Sequence, residues 1–208
     1  MNQAARELAF EKAAELIKSI AELRVYAMIK PPFLTESEMI EDAVDTILYI
    51  NDFEPEEIHF EPITVQEYTL VYYLWRQGIY RLPWLWSIIE ILKRITPIHI
   101  YCSPFAHFPE PIAKPHNCPT CNDIVLNTLL KDYNEHFNTK SFEDLDCRCK
   151  EAWDAQLAFY DSRSLEKRII DTLSSTKQFI LSSEKIKADL FALQESHFGP
   201  PKNFERVR

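Results

Sequence analysis

Glycine is almost missing from this chain: two in 208 residues, Gly78 and Gly199. A backbone that closes around a phosphate needs several, so neither a dinucleotide-binding G-x-G-x-x-G turn nor a Walker loop can be built. Positive charge is also short. Against 32 Asp and Glu stand 23 Lys and Arg, a formal net charge of -9, which argues against a uniformly basic surface for nucleic acid. No apolar run approaches the roughly 18 residues of a membrane span, and the opening MNQAARELAFEKAAEL carries acids and no continuous apolar core. The chain reads as cytoplasmic, with no membrane partner.

What is present suits a folded protein. With 46% hydrophobic and 26% charged residues, the chain has enough apolar side chains for one large domain or two small ones. Its five cysteines are an odd number, and four fall in two tight pairs, Cys118-Pro-Thr-Cys121 and Cys147-Arg-Cys149. Without signs of secretion, that spacing points to metal ligation instead of a disulfide framework. Four thiolates make a tetrahedral site with no open coordination position, hence a structural clamp and not a Lewis acid. Zinc is the expected ion, an iron-sulfur cluster the open alternative, and His116 the spare ligand. Cys102 is left over.

Hydrophobic periodicity gives an α/β chain. Residues 3 to 21 carry Leu8, Ala13, Leu16, Ile17 and Ile20 at helical spacing. From Arg24 to Lys30 the five central residues are all apolar, which predicts a parallel strand buried on both faces. Thr35 with Glu38 has capping-box spacing and opens a helix of about four turns through Met39, Ile40, Ala43, Val44, Ile47 and Leu48. A second strand, Glu57 to Glu61, alternates, with Ile58 and Phe60 on one face and His59 and Glu61 on the other. Thr64 and Glu67 repeat the capping-box spacing ahead of a helix that stops at Gly78. Pro83 opens a further helix, and Pro97 to Tyr101 is the third strand. Strands alternating with helices predict a parallel sheet with right-handed crossovers. Three strands are few, and an apolar first strand left as an edge would invite aggregation, so further strands are expected from another chain.

Three stretches divide the sequence: βα units over 1–102, a mainly helical four-cysteine module over 103–160, and a helical extension with a basic tail over 161–208. Within the module, Ser103 to Pro115 reads as a Pro-rich linker, with helices over 119–136 and 150–160.

Several segments are more particular. Lys30-Pro31-Pro32-Phe33-Leu34-Thr35-Glu36, Glu61-Pro62-Ile63-Thr64-Val65-Gln66, Tyr73 to Gly78, and Leu82 to Ser87 resemble the archaeosine-forming radical-SAM proteins, relatives of the Elongator-type radical-SAM enzymes. Pro115 to Cys121, and Leu145 to Lys150 through Trp153, resemble that family's separate C-terminal cysteine region, so the match runs in order over residues 4 to 160. The resemblance implies a partial βα barrel holding a [4Fe-4S] cluster and S-adenosylmethionine, which generate a 5'-deoxyadenosyl radical. It implies a lysine-modified deazaguanine in tRNA as substrate, a carbon-nitrogen bond cleaved to leave the amidine of archaeosine, and a partner subunit that attaches the lysine.

One departure is large. The family's cluster motif is CxxxCxxC, and no two cysteines here have the CxxxC spacing. The expectation is therefore the C-terminal part of a split enzyme, active only with a chain that carries the cluster motif. The alternatives are a non-catalytic, zinc-stabilised module that binds tRNA or protein, and a degenerate paralogue. Lys30, Pro31 and Phe33 follow the first strand, where barrel active sites lie, and with Glu61 and Gln66 they are the expected cofactor or substrate contacts. No residue is assigned as catalytic. His59 reads as a satisfied core histidine. Trp75, Trp84 and Trp86, with Tyr72, Tyr73 and Tyr80, read as core or interface ahead of base-stacking groups.

Overall fold

The structure is a computed structural model that describes residues 3–105 and 109–175. The part of the expected helical extension beyond residue 175, with its basic tail, lies outside the described residues. Helix α1 (Gln3–Lys18) leads into β1 (Arg24–Ile29), α2 (Glu36–Asn51), β2 (Glu57–Pro62), α3 (Leu70–Arg76), α4 (Leu85–Arg94) and β3 (Ile100–Cys102). The strands form one parallel sheet in the order β1-β2-β3, with Val25 opposite Ile58 and Ile58 opposite Ile100. The fold class is thus α/β, as the alternating periodicity predicts.

Local chemistry sets the element boundaries. The Thr35 Oγ1 accepts from the Glu38 N–H while the Glu38 carboxylate accepts from the Thr35 N–H, a complete capping box that starts α2 where the sequence places it. Gly78, at φ +70, stops the chain after α3 in the left-handed region that glycine tolerates best. The second capping box does not form. Val65 bridges to Ala113 and donates its N–H to the Ala113 carbonyl, holding that stretch extended. Helix α3 instead starts after Thr69, whose hydroxyl accepts from the Tyr72 N–H.

The core lies on one side of the sheet. Val25, Ala27, Ile29, Ile58, Phe60, Ile100 and Cys102 are buried together with Met39, Ile47, Leu85, Ile88 and Leu92 of α2 and α4. Each of the Val, Ile, Leu, Phe and Met side chains among them contributes about 1.5–3 kcal/mol of burial free energy. The same cluster continues into the cysteine region through Val125, Leu129, Tyr133 and Phe142. That region is built from α5 (Asn122–Asn127), a π-helical segment Thr128–Tyr133, α6 (Asn134–His136), a 3-10 turn Thr139–Phe142 and α7 (Lys150–Leu157). It is more broken than the helix expected over 119–136. Helix α8 (Leu165–Ser175) follows.

The opposite sheet face corrects the reading of β1. Its residues alternate between exposed and buried, and Tyr26 and Met28 are 58% and 60% exposed instead of covered. Tyr26, His59 and Tyr101 stack across the three strands at 5.0 Å between successive ring centroids. Half-buried His59 is partnered by Glu57 at 2.9 Å, but it lies on this open face and not in the core where the sequence reading put it. The two sheet edges also differ. Asn134 accepts from the Cys102 N–H and donates to the Cys102 carbonyl, both at 2.9 Å, which closes the β3 side. No strand among the described residues pairs with the outer edge of β1.

Candidate metal centre and adjoining cavity

The two cysteine pairs come from different turns. Cys118 and Cys121 lie just before α5, where the Cys121 N–H reaches the Cys118 carbonyl. Cys147 and Cys149 lie just before α7, where the Lys150 N–H reaches the Cys147 carbonyl. All four sulfurs fall within 4.8 Å of one another, with Cys118 to Cys121 at 3.7 Å, Cys118 to Cys147 at 3.5 Å and Cys121 to Cys149 at 3.6 Å. A tetrahedral ion with metal–sulfur bonds of about 2.3 Å needs sulfurs about 3.8 Å apart. The donor set therefore fits a single four-coordinate ion. His116 is exposed, bonds the Lys114 carbonyl through Nδ1 at 2.9 Å, and is not among the clustered ligands. Cys102 lies apart in the core, where burial pushes its thiol up to about 12.

The surroundings tie the centre to the sheet layer. The Trp86 indole N–H donates to the Cys149 sulfur at 3.2 Å, and the Lys150 ammonium sits over the Trp86 ring at 4.7 Å. The backbone N–H of Cys121 holds the Cys118 thiol down to about 6, whereas burial pushes Cys121 up. Cys118 is thus the readier of the two to ionise, and Cys121 gives up its proton to the incoming ion. Metal affinity is expected to rise with pH between about 6 and 8. Titrating zinc by calorimetry in two buffers of different ionisation enthalpy measures the protons released, and a buffer-independent heat would refute this.

A second feature sits at the carboxyl end of β1. Lys30 and Phe33 both adopt left-handed backbone, φ 64 and 78, uncommon for side-chain-bearing residues and worth roughly 1–3 kcal/mol of strain each. The Lys30 ammonium is buried against the Glu36 carboxylate, and burial lowers its pKa against the opposing pull of Glu36. The other Glu36 oxygen accepts from the Trp84 N–H at 3.0 Å and the Ser87 hydroxyl at 2.6 Å; Ser87 in turn accepts from the Trp153 indole at 2.8 Å. The Tyr80 hydroxyl donates to the Lys30 carbonyl at 2.9 Å. One polar network thus joins the end of β1, the start of α2, the start of α4 and α7.

Beside it lies a cavity of about 200 Å³ that includes Lys30 and Phe33 in its walls. The other expected contacts lie elsewhere. Pro31 is half-buried but does not line the cavity; Glu61 accepts from the Ser103 hydroxyl; Gln66 accepts through its carbonyl from Thr69 at 2.7 Å. Tyr80, Trp84 and Trp86 are buried, as core aromatics. Glu36, Arg81 and Arg168 were not singled out by the sequence, and the only available signal was an acid in the first turn after a capping threonine.

The chain is 36% identical to archaeosine synthase subunit beta of Methanosarcina acetivorans over 160 residues, 73% of this chain and 44% of that protein. It is 31% identical to the protein of the same name from Thermococcus kodakarensis over 154 residues, 70% of this chain and 45% of the relative. An uncharacterised protein of Methanocaldococcus jannaschii is 32% identical over 154 residues, 70% of this chain and 41% of its own length. No protein-family model and no solved structure matches the chain. The chain thus spans less than half the length of these relatives. Over that span, it is a homologue of archaeosine synthase subunit beta.

Proposed function

We propose that this chain is the C-terminal, metal-clamped part of a radical-SAM enzyme that forms archaeosine in tRNA, working with a chain that carries the CxxxCxxC half of the barrel. That half brings the [4Fe-4S] cluster and S-adenosylmethionine; this chain supplies the last βα units and a zinc ion on Cys118, Cys121, Cys147 and Cys149. The substrate is a lysine-modified deazaguanine whose carbon-nitrogen bond is cleaved, and the lysine-attaching archaeosine synthase subunit is the second protein partner. Lys30, Pro31 and Phe33 after β1, with Glu61 and Gln66 around the end of β2, stand at the strand ends where a βα barrel holds its ligands.

The observation that carries this reading is the asymmetry of the sheet. Helices cover one face and Asn134 closes the β3 edge, while Tyr26 and Met28 and the outer edge of β1 lie open. In a βα barrel the helix-free face is the interior, and a partial barrel has free edges only at its first and last strands. The open face and edge are therefore what a longer relative's remaining strands would cover. Zinc is favoured over a cubane cluster because sulfurs sharing one ion sit closer than sulfurs bound to four separate irons.

Co-expression with a CxxxCxxC-bearing half from the same organism is expected to give a stable complex. Under reducing conditions the complex should cleave S-adenosylmethionine to 5'-deoxyadenosine, which the isolated chain does not. A stable monomer that neither binds that half nor restores its activity would sink the proposal.

A further inference from the structure

The cavity beside Lys30 lies between the β1–α2 loop, the α3–α4 loop and the segment from α7 into α8. Four cations, Lys30, Arg81, Arg163 and Arg168, line it with two acids, Glu36 and Asp161. Lys30 is taken up by Glu36, and Arg163 by Asp161. Two guanidinium groups remain with donors to spare. Arg168 gives its Nη atoms to the Glu38 carboxylate and the Phe33 carbonyl, yet its Nε is buried with no acceptor. Arg81 lies over the Trp84 ring at 4.0 Å and donates to the neutral Gln156 amide oxygen; among the described residues no carboxylate stands within ion-pair distance of it.

A buried N–H without an acceptor is rare and unfavourable unless a bound group completes it. Guanidinium donors on adjoining walls are the arrangement that recognises a planar or tetrahedral oxyanion. We propose that this cavity is an oxyanion site: it takes a carboxylate or phosphate group on a small organic body, held by Arg81 with the under-partnered Arg168 guanidinium on the adjoining wall. Phe33, Ile79 and Phe159 stand against the apolar part of that ligand. The site shares Lys30 and Phe33 with the contacts proposed above, but its oxyanion donors are groups of this chain, so binding is testable without the cluster-bearing half.

The test is calorimetric titration of the full, metal-loaded chain. Inorganic phosphate is the probe in one arm and acetate in the other, each against a chloride control of equal ionic strength. At least one oxyanion is expected to bind. Phosphate alone would identify a phosphate ligand, acetate alone a carboxylate ligand, and both would indicate a site that reads the shared oxyanion. Arg81→Gln removes a charge-assisted donor and is expected to weaken binding about tenfold or more. Gln156→Glu leaves Arg81 in place but gives it a carboxylate of its own, and is expected to weaken binding likewise. Both variants should keep their metal content and helical circular dichroism, since each position meets the core only at the Trp84 ring, and glutamate keeps an oxygen to accept from the Trp84 indole. No binding above the chloride control, or equal affinity in both variants and the parent chain, overturns the proposal.

Discussion

Replacing Cys121 by serine is expected to strip the chain of its metal and, with it, most of its stability. Cys121 is buried within the main core cluster, and its sulfur touches those of Cys118 and Cys149. A serine hydroxyl has nearly the same shape but stays protonated at neutral pH and is a poor ligand. Structural zinc sites bind with an apparent free energy on the order of 10 kcal/mol, comparable to the whole stability of a typical domain. Metal analysis of Cys121→Ser should fall from about one ion per chain towards none, with a melting transition that is lowered and broadened. Chelation of the parent chain should reproduce the loss and added zinc should reverse it, which separates the ion's contribution from a packing defect. His116→Ala, outside the cluster, should change neither reading. A serine variant that keeps its ion and its melting temperature would show that the four sulfurs do not act as one site.

Glu36→Gln carries the second large effect. The carboxylate is fully buried, faces the Lys30 ammonium with one oxygen, and accepts from Trp84 and Ser87 with the other. Glutamine keeps the shape but removes the charge that compensates a buried ammonium. Breaking a buried pair on one side costs about 3–5 kcal/mol. Burial already lowers the Lys30 pKa below its ordinary 10.5, so over the interval below that value the unfolded chain binds more protons than the folded one. Stability then rises with pH across that interval, and the glutamine variant should recover part of its loss as pH approaches about 10. The double variant Lys30→Met with Glu36→Gln should recover more at neutral pH, because no uncompensated charge remains. Urea unfolding midpoints at neutral pH and near pH 10 measure all three. A loss below about 1 kcal/mol in Glu36→Gln would mean that the pair behaves as a solvent-exposed one.

Much of this architecture is written in local pattern. The α2 capping box, the Gly78 stop and the alternation of β2 each depend on residues within a few positions, and each appears where the sequence places it. The paired cysteines are legible for the same reason, although the sequence alone does not bring residues 118–121 against 147–149. What the sequence hides depends on distant partners. Thr64 and Glu67 satisfy the spacing of a helix start, yet Val65 is drawn into a bridge with Ala113, 48 positions on. Glu36 gains its role from Trp84 and Ser87, and Arg168 gains its role from Glu38 and Phe33, 130 and 135 residues away. The apolar run of β1 misled in another way. Its composition suits cover on both faces, but the described residues cover only one, and Tyr26 and Met28 record the difference.

The Trp86–Cys149 contact spans 63 residues of chain, and that length orders events during synthesis. At roughly 5–20 residues per second, β1, β2, α4 and β3 emerge seconds before Cys147 and Cys149 are made. Cys118 and Cys121 wait as an incomplete pair over the last part of that interval. An ion on the four cysteines would therefore be captured late, after the segment that carries Trp86 has been made. Metal loading would then complete the fold late instead of nucleating it, so a nascent chain starved of metal should reach full length without a stable cysteine module.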